Sequence, residues 1–426
     1  MNNHKLNCHS KDRRISALLE ILSYEKECGV KVVSRENDAN NHIHTTYSFS
    51  PYSPTSAAYE AYKSGLRTCG IMDHDTLAGA EEFSQACKIL NIGYTCGVEM
   101  RVKFCPGQWG RMNHPDQMDC AYVAAHGIPS QSIKAFEEFL KPYRTIRYKR
   151  NEAMVEKINK HMADFNIYLD FNKDIYMNSE AECNGTITER HIMYALAKKL
   201  EEKFERTSAL SKFLINKMGY KLSSKQMDYL LDSDNKYFLF DLLGILKTNT
   251  KFFYIDADQE MPKVEEFIEV TKRLGGIPAY AYLGDVSNSV TGDKAAQTFE
   301  DKYLDRLIPE LKRLGFEAIA YMPTRNTLEQ LNRLKNLCTQ YQLIQISGED
   351  INSPRQSFKC AALENQEFSH LIRSTWALIG HERSMEKDMN QGLLSKEIIL
   401  EYPDINKRLA LFERIGKSSI KNQTGE

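Results

Sequence analysis

The feature that most restricts how this 426-residue chain can fold is a rhythm of short β-rich runs alternating with amphipathic helical stretches, interrupted once by a long helical tract. From residue 39 an extended run, NNHIHTTY, leads into SFSPYSPTSAAYEAYKSGL, where Thr55 after Pro54 is the expected helix N-cap and Gly65 the stop signal. RTCGIMDHD then reads as strand, LAGAEEFSQACKIL as helix and IGYTCGVEMRVKF as strand. Such an order predicts βα units around a parallel sheet. Near residue 130 it lapses: SIKAFEEFLKPYRTIRYKRNEAMVEKINKHMADF and ITERHIMYALAKKLEEKF are long helical patterns with no strand between them. Near residue 260 it resumes, with IPAYAYL, EAIAYM and LIQISGED as strands separated by helices. A helix over 12–28, with Ile15, Leu18, Leu19 and Leu22 at helical spacing, precedes the series, and a polar, helix-prone tail of about 60 residues comes after it.

Charge is balanced, with 56 Lys+Arg against 57 Asp+Glu. A net charge of −1 argues against a chain that coats nucleic acid or an anionic membrane, so any phosphate binding has to be local. No apolar run approaches the length of a membrane span, and the opening MNNHKLNCHSKDRR lacks the apolar stretch of a signal peptide. The expectation is a cytoplasmic protein without a membrane partner. Ten Cys are scattered without a C-x-x-C pair, which fits reduced thiols rather than a disulfide frame or zinc ribbon. Neither G-x-G-x-x-G nor a P-loop pattern occurs, which argues against dinucleotide oxidoreductases and kinases.

Chemistry concentrates at strand ends. His42 and His44 form H-x-H, which on a strand puts both imidazoles on one face. His74 follows the apolar run CGIM in Asp73-His74-Asp75, Glu99 ends CGVE, and Asp350 ends QLIQISGED. Four strands each deliver a His or carboxylate where strand gives way to loop, the face that carries active sites in α/β barrels. Imidazoles with carboxylates suit a borderline divalent ion such as zinc, manganese or iron. Each piece also has a plainer role, as a surface pair or a helix cap; it is their joint occurrence in one βα series that favours a metal.

The run NHIHTTYSFSPYSPTSAAYEAYKSGLRTCGIMDHDTLAGAEEF, followed by GVE, resembles the metal-binding start of the polymerase and histidinol phosphatase (PHP) family of phosphoesterases. The resemblance spans residues 39 to 355 or so, with an insertion where nucleotide-phosphatase members carry a helical cap. It implies a distorted seven-stranded (β/α) barrel, TIM-like, with a helical insertion domain. The implied divisions are an N-terminal helical extension (1–36), a first barrel part (37–130), the helical cap (131–260), a second barrel part (261–358) and a helical tail (359–426). It further implies that His42, His44, Glu99 and Asp350 hold one ion, that Glu99 bridges to a second, and that His74 and His126 serve further ions. His114, in a Pro/Gly-rich loop, is the poorer candidate.

Three family ligands are replaced. The S-D-G segment reads Ser48-Phe49-Ser50, the A-H-P strand end reads Ala281-Tyr282-Leu283, and the terminal D-x-H reads Asp350-Ile351-Asn352. One or two ions are therefore expected rather than three, with Tyr282 and Asn352 as weak or substituted ligands. Arg190 and His191, similar to an R-x-H-I-A cap motif but with Glu189 in the usual Arg place, and Arg355 are the expected substrate-binding residues. The implied activity is hydrolysis of a small phosphomonoester, such as a nucleotide, by a metal-activated water.

A degenerate barrel that binds a metal or nucleotide without turnover is the competing reading. A polynucleotide exonuclease using the KPYRTIRYKR segment is less favoured, since that segment reads more simply as the exposed face of a long helix. The calcium-like start at Asp170, Asn172 and Asp174 fails because Ile175 stands where the loop needs Gly. His370 and His381, on the tail, are expected to be structural.

Overall fold

The computed structural model describes residues 3–33, 35–114, 117–286 and 298–420. Among these, seven strands form one sheet in chain order: β1 (Arg35–Ile43), β2 (Leu66–His74), β3 (Gly93–Lys103), β4 (Cys120–His126), β5 (Ile277–Tyr282), β6 (Ala318–Tyr321) and β7 (Ile344–Ser347). Helices α1 (Lys11–Glu27), α2 (Pro54–Lys63) and α3 (Ala80–Leu90) lie in the first part of the chain. Next come α4 (Ile133–Met162), α5 (Glu189–Phe204), α6 (Ser208–Asn216), α7 (Ser224–Leu231) and α8 (Phe238–Leu246). The last six are α9 (Val264–Arg273), α10 (Leu304–Leu314), α11 (Leu328–Gln340), α12 (Ser369–Met385), α13 (Lys396–Glu401) and α14 (Ile405–Ser418).

The sheet curls into a distorted (β/α) barrel because β7 returns to β1. His44 N donates to Ile351 O and Ile351 N to His42 O, both at 3.0 Å. The Asn41 side chain donates to Ser347 O at 2.8 Å and the Asn40 side chain to Glu349 O at 3.0 Å. Gly348 permits this closure: a Cβ there would lie 2.6 Å from His42 Cβ.

Two expectations change here. The sheet is not wholly parallel, since β4 runs antiparallel to both β3 and β5. The described residues of the 16-residue loop between β3 and β4 form no crossover helix, and the chain turns back on itself as a hairpin does. The cap of α2 is Ser53, whose hydroxyl accepts from Ser56 N, while Thr55 donates its hydroxyl to Glu82 at 2.6 Å.

Helices α4 to α8 bury their own apolar core, with Met154, Ile158, Leu196, Leu214, Leu242 and Phe253 among its members. The segment after β7 is no polar tail. Trp376, Leu378 and Ile379 of α12 are buried, and Glu382 accepts from Cys96 N of β3 at 2.7 Å. Gly380 and Gly416 let α12 and α14 cross with backbones in contact, as a Cβ on either would strike the other helix. His381 is structural as expected: its Nε2 lies 2.7 Å from Gly275 O and its Nδ1 accepts from Leu393 N. His370 sits among Tyr321, Gln345 and Glu367 O. No helix of the described residues is long and apolar enough to cross a membrane.

Candidate metal centre

His42 and His44 flank the last residue of β1, and their ring centroids are 5.0 Å apart. His74 ends β2 and is the register partner of Glu99 on β3, so the two side chains stand on one face. Glu99 is not at a strand end; β3 runs on to Lys103 because β4 pairs with it there. Glu99 Oε2 lies 3.1 Å from His74 Nδ1, 3.6 Å from His42 Nε2 and 3.9 Å from His44 Nε2. Asp350 Oδ1, three residues past β7, lies 3.2 Å from His44 Nε2. Two overlapping groups of donor atoms result, one from His42, His44 and Asp350 and one from His44, His74 and Glu99, the atoms of each within 4.8 Å of one another.

The orientation of His44 is set by its neighbours. Asp73 accepts from Thr45 N at 2.7 Å, from the Thr45 hydroxyl at 2.6 Å and from the Ser48 hydroxyl at 2.6 Å. Ser48 has only one proton to give, so its oxygen accepts from His44 Nδ1 at 3.2 Å. The Nε2 of a neutral His44 then turns a lone pair towards the Asp350 and Glu99 oxygens, an arrangement that a cation between them would satisfy. Burial raises the Asp73 carboxyl above its ordinary value even against these hydrogen bonds. Sequence reading missed Asp73, Thr45 and Ser48; their signal was the clustering of small hydroxyl residues after H-x-H and an acid directly before His74.

Burial pushes His42 down, but Glu99, with Asp350 and Asp73 beyond it, outweighs that and holds the imidazole above its usual value. His74 is held well below it by burial and by the neighbouring His44 and Arg147. His126 closes β4, is 1% exposed, and is pushed down to about 3 by burial and by His42. Neither of its ring nitrogens has a hydrogen-bond partner. It lines one cavity with Asn41, His42, Glu99, Tyr282 and Asp350. Two orphaned buried nitrogens, next to two carboxylates and more imidazoles, fit a divalent cation as their missing partner.

Other expected residues sit elsewhere. The Tyr282 hydroxyl donates to Asp301 at 2.6 Å, and burial plus that carboxylate drive its ionisation up, the opposite of what a phenolate ligand needs. Asn352 donates from Nδ2 to Asp350 Oδ1 at 2.5 Å, so it holds a candidate ligand. His191 Nδ1 accepts from Thr188 N at 3.0 Å as the capping partner of α5, and its ring meets Phe49 edge-on. Arg190 donates to Asn352 O at 3.2 Å and lies over the Phe49 ring. Arg355 forks onto Asp241 of α8 and lies 4.0 Å from the Tyr229 ring. His114 stacks on Tyr122 and accepts from Gln117 N, outside the donor groups.

The basic segment of α4 reverses its expected orientation. Arg147 and Arg150 are buried and bind Asp75, Glu189 and Glu260, together with Arg101 of β3. Arg144 pairs with Glu137. Lys141 and Lys149 alone of the five cations remain exposed.

A model of the PHP domain matches residues 40–238, a stretch that opens two residues before His42 and contains His44, His74, Glu99 and His126. Nearly half of the chain is thus similar to the PHP domain.

Over 59 residues it is 39% identical to a 5'-3' exoribonuclease of Haemophilus influenzae, covering 14% of this chain and 22% of that enzyme. The match thus spans less than a quarter of the relative's length. Among solved structures, one similar chain is a candidate metal-dependent phosphoesterase of Bifidobacterium adolescentis, 18% identical with a TM-score of 0.48, over 78% of this chain and 96% of that one. Another is an amidohydrolase of Chromobacterium violaceum with bound sulfate and no metal, 16% identical with a TM-score of 0.48, over 75% and 89% of the two chains.

Proposed function

We propose that the chain hydrolyses a small phosphomonoester, a nucleotide among the candidates, with the help of one divalent cation held by His42, His44, Glu99 and Asp350. The supporting observation is that His42, Glu99 and Asp350 line one cavity, with His42 3.6 Å from Glu99 and His44 3.2 Å from Asp350 and 3.9 Å from Glu99. Zinc, manganese or iron suits the donor set. A bound cation of this kind supplies Lewis acidity toward a phosphoryl oxygen and lowers the pKa of water toward neutrality.

The protein's own residues do the rest. Asp73 and Ser48 hold His44 in one tautomer, Asn352 holds Asp350, and His126 stays neutral in the cavity wall, able to complete the donor set or serve a second ion with Glu99. Among the described residues none that lines the cavity is Lys or Arg, which supports the cation as the group that meets substrate phosphate charge. Ten unpaired cysteines suit a reducing compartment and support a cytoplasmic setting. The test is metal analysis with hydrolysis of an aryl phosphate and of mononucleotides in added manganese or zinc. Metal-free protein without metal-stimulated turnover, unaltered by His42→Ala, ends the proposal.

A second reading draws on the same cavity. Arg190 donates to Asn352 O and Arg355 pairs with Asp241, and neither is among the described residues that line the cavity, which favours a barrel that binds without turnover. Metal-dependent stabilisation by a phosphate compound, with no product formed, supports that reading over hydrolysis.

A further inference from the structure

The carboxylate of Asp350 has little strand to hold it. β7 ends at Ser347, the backbone ladder with β1 resumes only at Ile351, and the Asp350 side chain is one-third exposed. Beyond Asp350 the chain forms a short, internally bonded loop. Asn352 Nδ2 donates to Asp350 Oδ1 at 2.5 Å, while the backbone N–H groups of Asn352 and Ser353 both donate to Gln356 Oε1 at 2.7 and 2.8 Å. Gln356 N returns a bond to Ser353 O at 3.2 Å. These bonds tie residues 350 to 356 to one another, and Ile351 joins them to β1 through its bonds with His42 O and His44 N.

Two side chains fasten that loop to the helical insertion: Arg190 of α5, which donates to Asn352 O at 3.2 Å, and Arg355. Arg355 meets Asp241 in a two-pronged pair, Nε to Oδ1 at 2.6 Å and Nη2 to Oδ2 at 2.8 Å. Its guanidinium lies 4.0 Å from the Tyr229 ring and 5.1 Å from the Tyr237 ring. Asn235 accepts from Arg355 Nη2 at 3.1 Å and donates to Asp241 Oδ2 at 2.8 Å. The Asp241 side chain is 8% exposed, so its pair with Arg355 is shielded on the acid's side. A planar guanidinium held by a fork and two ring faces has little orientational freedom, which a lysine would not reproduce.

We propose that Asp241 is a positioning residue for Asp350, acting through Arg355 and the 350–356 loop, so that the helical insertion sets the affinity of the metal centre. The proposal rests on the reading of His42, His44, Glu99 and Asp350 as a cation site. It gives Arg355 a different task from gripping substrate phosphate.

The experiment measures the manganese and zinc dissociation constants of the full chain by competition with a chelating dye, together with the melting temperature of the metal-free protein. Asp241→Asn is expected to weaken binding about 10-fold or more, the lower end of what loss of an outer partner of a metal ligand produces. Arg355→Lys is expected to fall between it and the parent. Asp174→Asn, which breaks an ion pair with Lys199 on the same insertion, is the control and leaves the constant unchanged.

Dissociation constants within twofold of the parent for both Asp241→Asn and Arg355→Lys overturn the proposal. A parent chain that takes up neither metal instead overturns the cation site itself. Should Asp241→Asn fail to fold, hydrogen exchange on the unaltered protein decides: added metal is expected to slow amides of 352–356 and α8 more than those of α6, and equal or absent slowing overturns the proposal.

Discussion

His74 Nδ1 and Glu99 Oε2 stand 3.1 Å apart as register partners on β2 and β3. Because Glu99 is also the carboxylate nearest His42, it joins the two donor groups into one centre. Its place in mid-strand, with β4 paired alongside, gives that centre a rigid side opposite the looser Asp350.

Glu99→Gln keeps the shape of the side chain and removes its charge. Metal affinity is expected to fall by more than about 100-fold, beyond the range of an outer partner. A chelator-competition titration measures this, and a fall of only a few-fold shows that Glu99 is no ligand.

Asp73→Asn should act one step further out. An amide in this place cannot accept from the Thr45 backbone, the Thr45 hydroxyl and the Ser48 hydroxyl all at once. Ser48 is then free to donate to His44 Nδ1, which moves the imidazole proton to Nε2, the nitrogen needed for a cation. Metal binding is expected to weaken by roughly 10- to 100-fold, with a stability loss of about 1 to 3 kcal/mol from the unmet buried donor. Chelator competition and urea unfolding separate the two effects.

Much of this was legible in the residues. The H-x-H pair was legible from its alternate spacing on an extended run, His74, Glu99 and Asp350 from standing at or near the ends of apolar runs, and the helical insertion because its periodicity lacked strands. Partners far apart in the chain were not legible. Nothing near Arg147 names Asp75, Glu189 or Glu260, and nothing near Arg355 names Asp241, so both segments looked like solvent-facing or substrate-facing charge. The reversal of β4 was hidden too, since an apolar run reads the same in either direction.

Buried histidines outside the candidate metal centre are expected to set the acid side of stability. Burial holds His114 and His191 down to about 3, and His370 and His381 to about 4. In the unfolded chain each titrates near 6.5. As pH falls below 6.5 the unfolded state gains protons that the native state refuses, so native stability drops. Burial raises Glu300 to about 7 and Glu382 to about 8, and these work in the opposite sense, with stability lost as pH rises from about 4.5 towards those values. With His74 and His126, which are lowered too, the histidines outweigh Glu300 and Glu382 and the smaller upward shifts of Asp73, Glu180, Glu349 and His42 below about pH 6. The melting temperature of metal-free protein is therefore expected to peak near neutrality and fall steadily to pH 4.5; a flat or rising profile on acidification contradicts the burial of these rings.

Tyr282→Phe distinguishes a ligand from a wall. The hydroxyl gives its proton to Asp301, which keeps bonds from Asp285 N and Gln330 Nε2 when the tyrosine is lost. Metal per chain is expected to stay unchanged, with stability lower by about 1 kcal/mol for one hydrogen bond. Elemental analysis showing less metal would restore Tyr282 as a ligand.

Glu260→Gln tests how the insertion is joined to the barrel. Glu260 is 5% exposed and binds Arg101 of β3 and Arg150 of α4, with Glu189 and Asp75 supplying the remaining negative charge around three buried guanidinium groups. Three acids balance three bases, and burial makes each dependent on the others. Removing one charge leaves a guanidinium excess in a site that excludes water, and breaking such a pair costs about 3 to 5 kcal/mol. Because the network spans both halves, the loss is expected in a single cooperative transition, seen as coincident unfolding by far-ultraviolet circular dichroism and tyrosine fluorescence. Two separated transitions would mean that the insertion unfolds apart from the barrel, and that the ion network is not the joint between them. Arg101→Met paired with Glu260→Met provides the complement: replacing a buried pair with apolar side chains is expected to recover much of the loss, since the uncompensated charge is what destabilises.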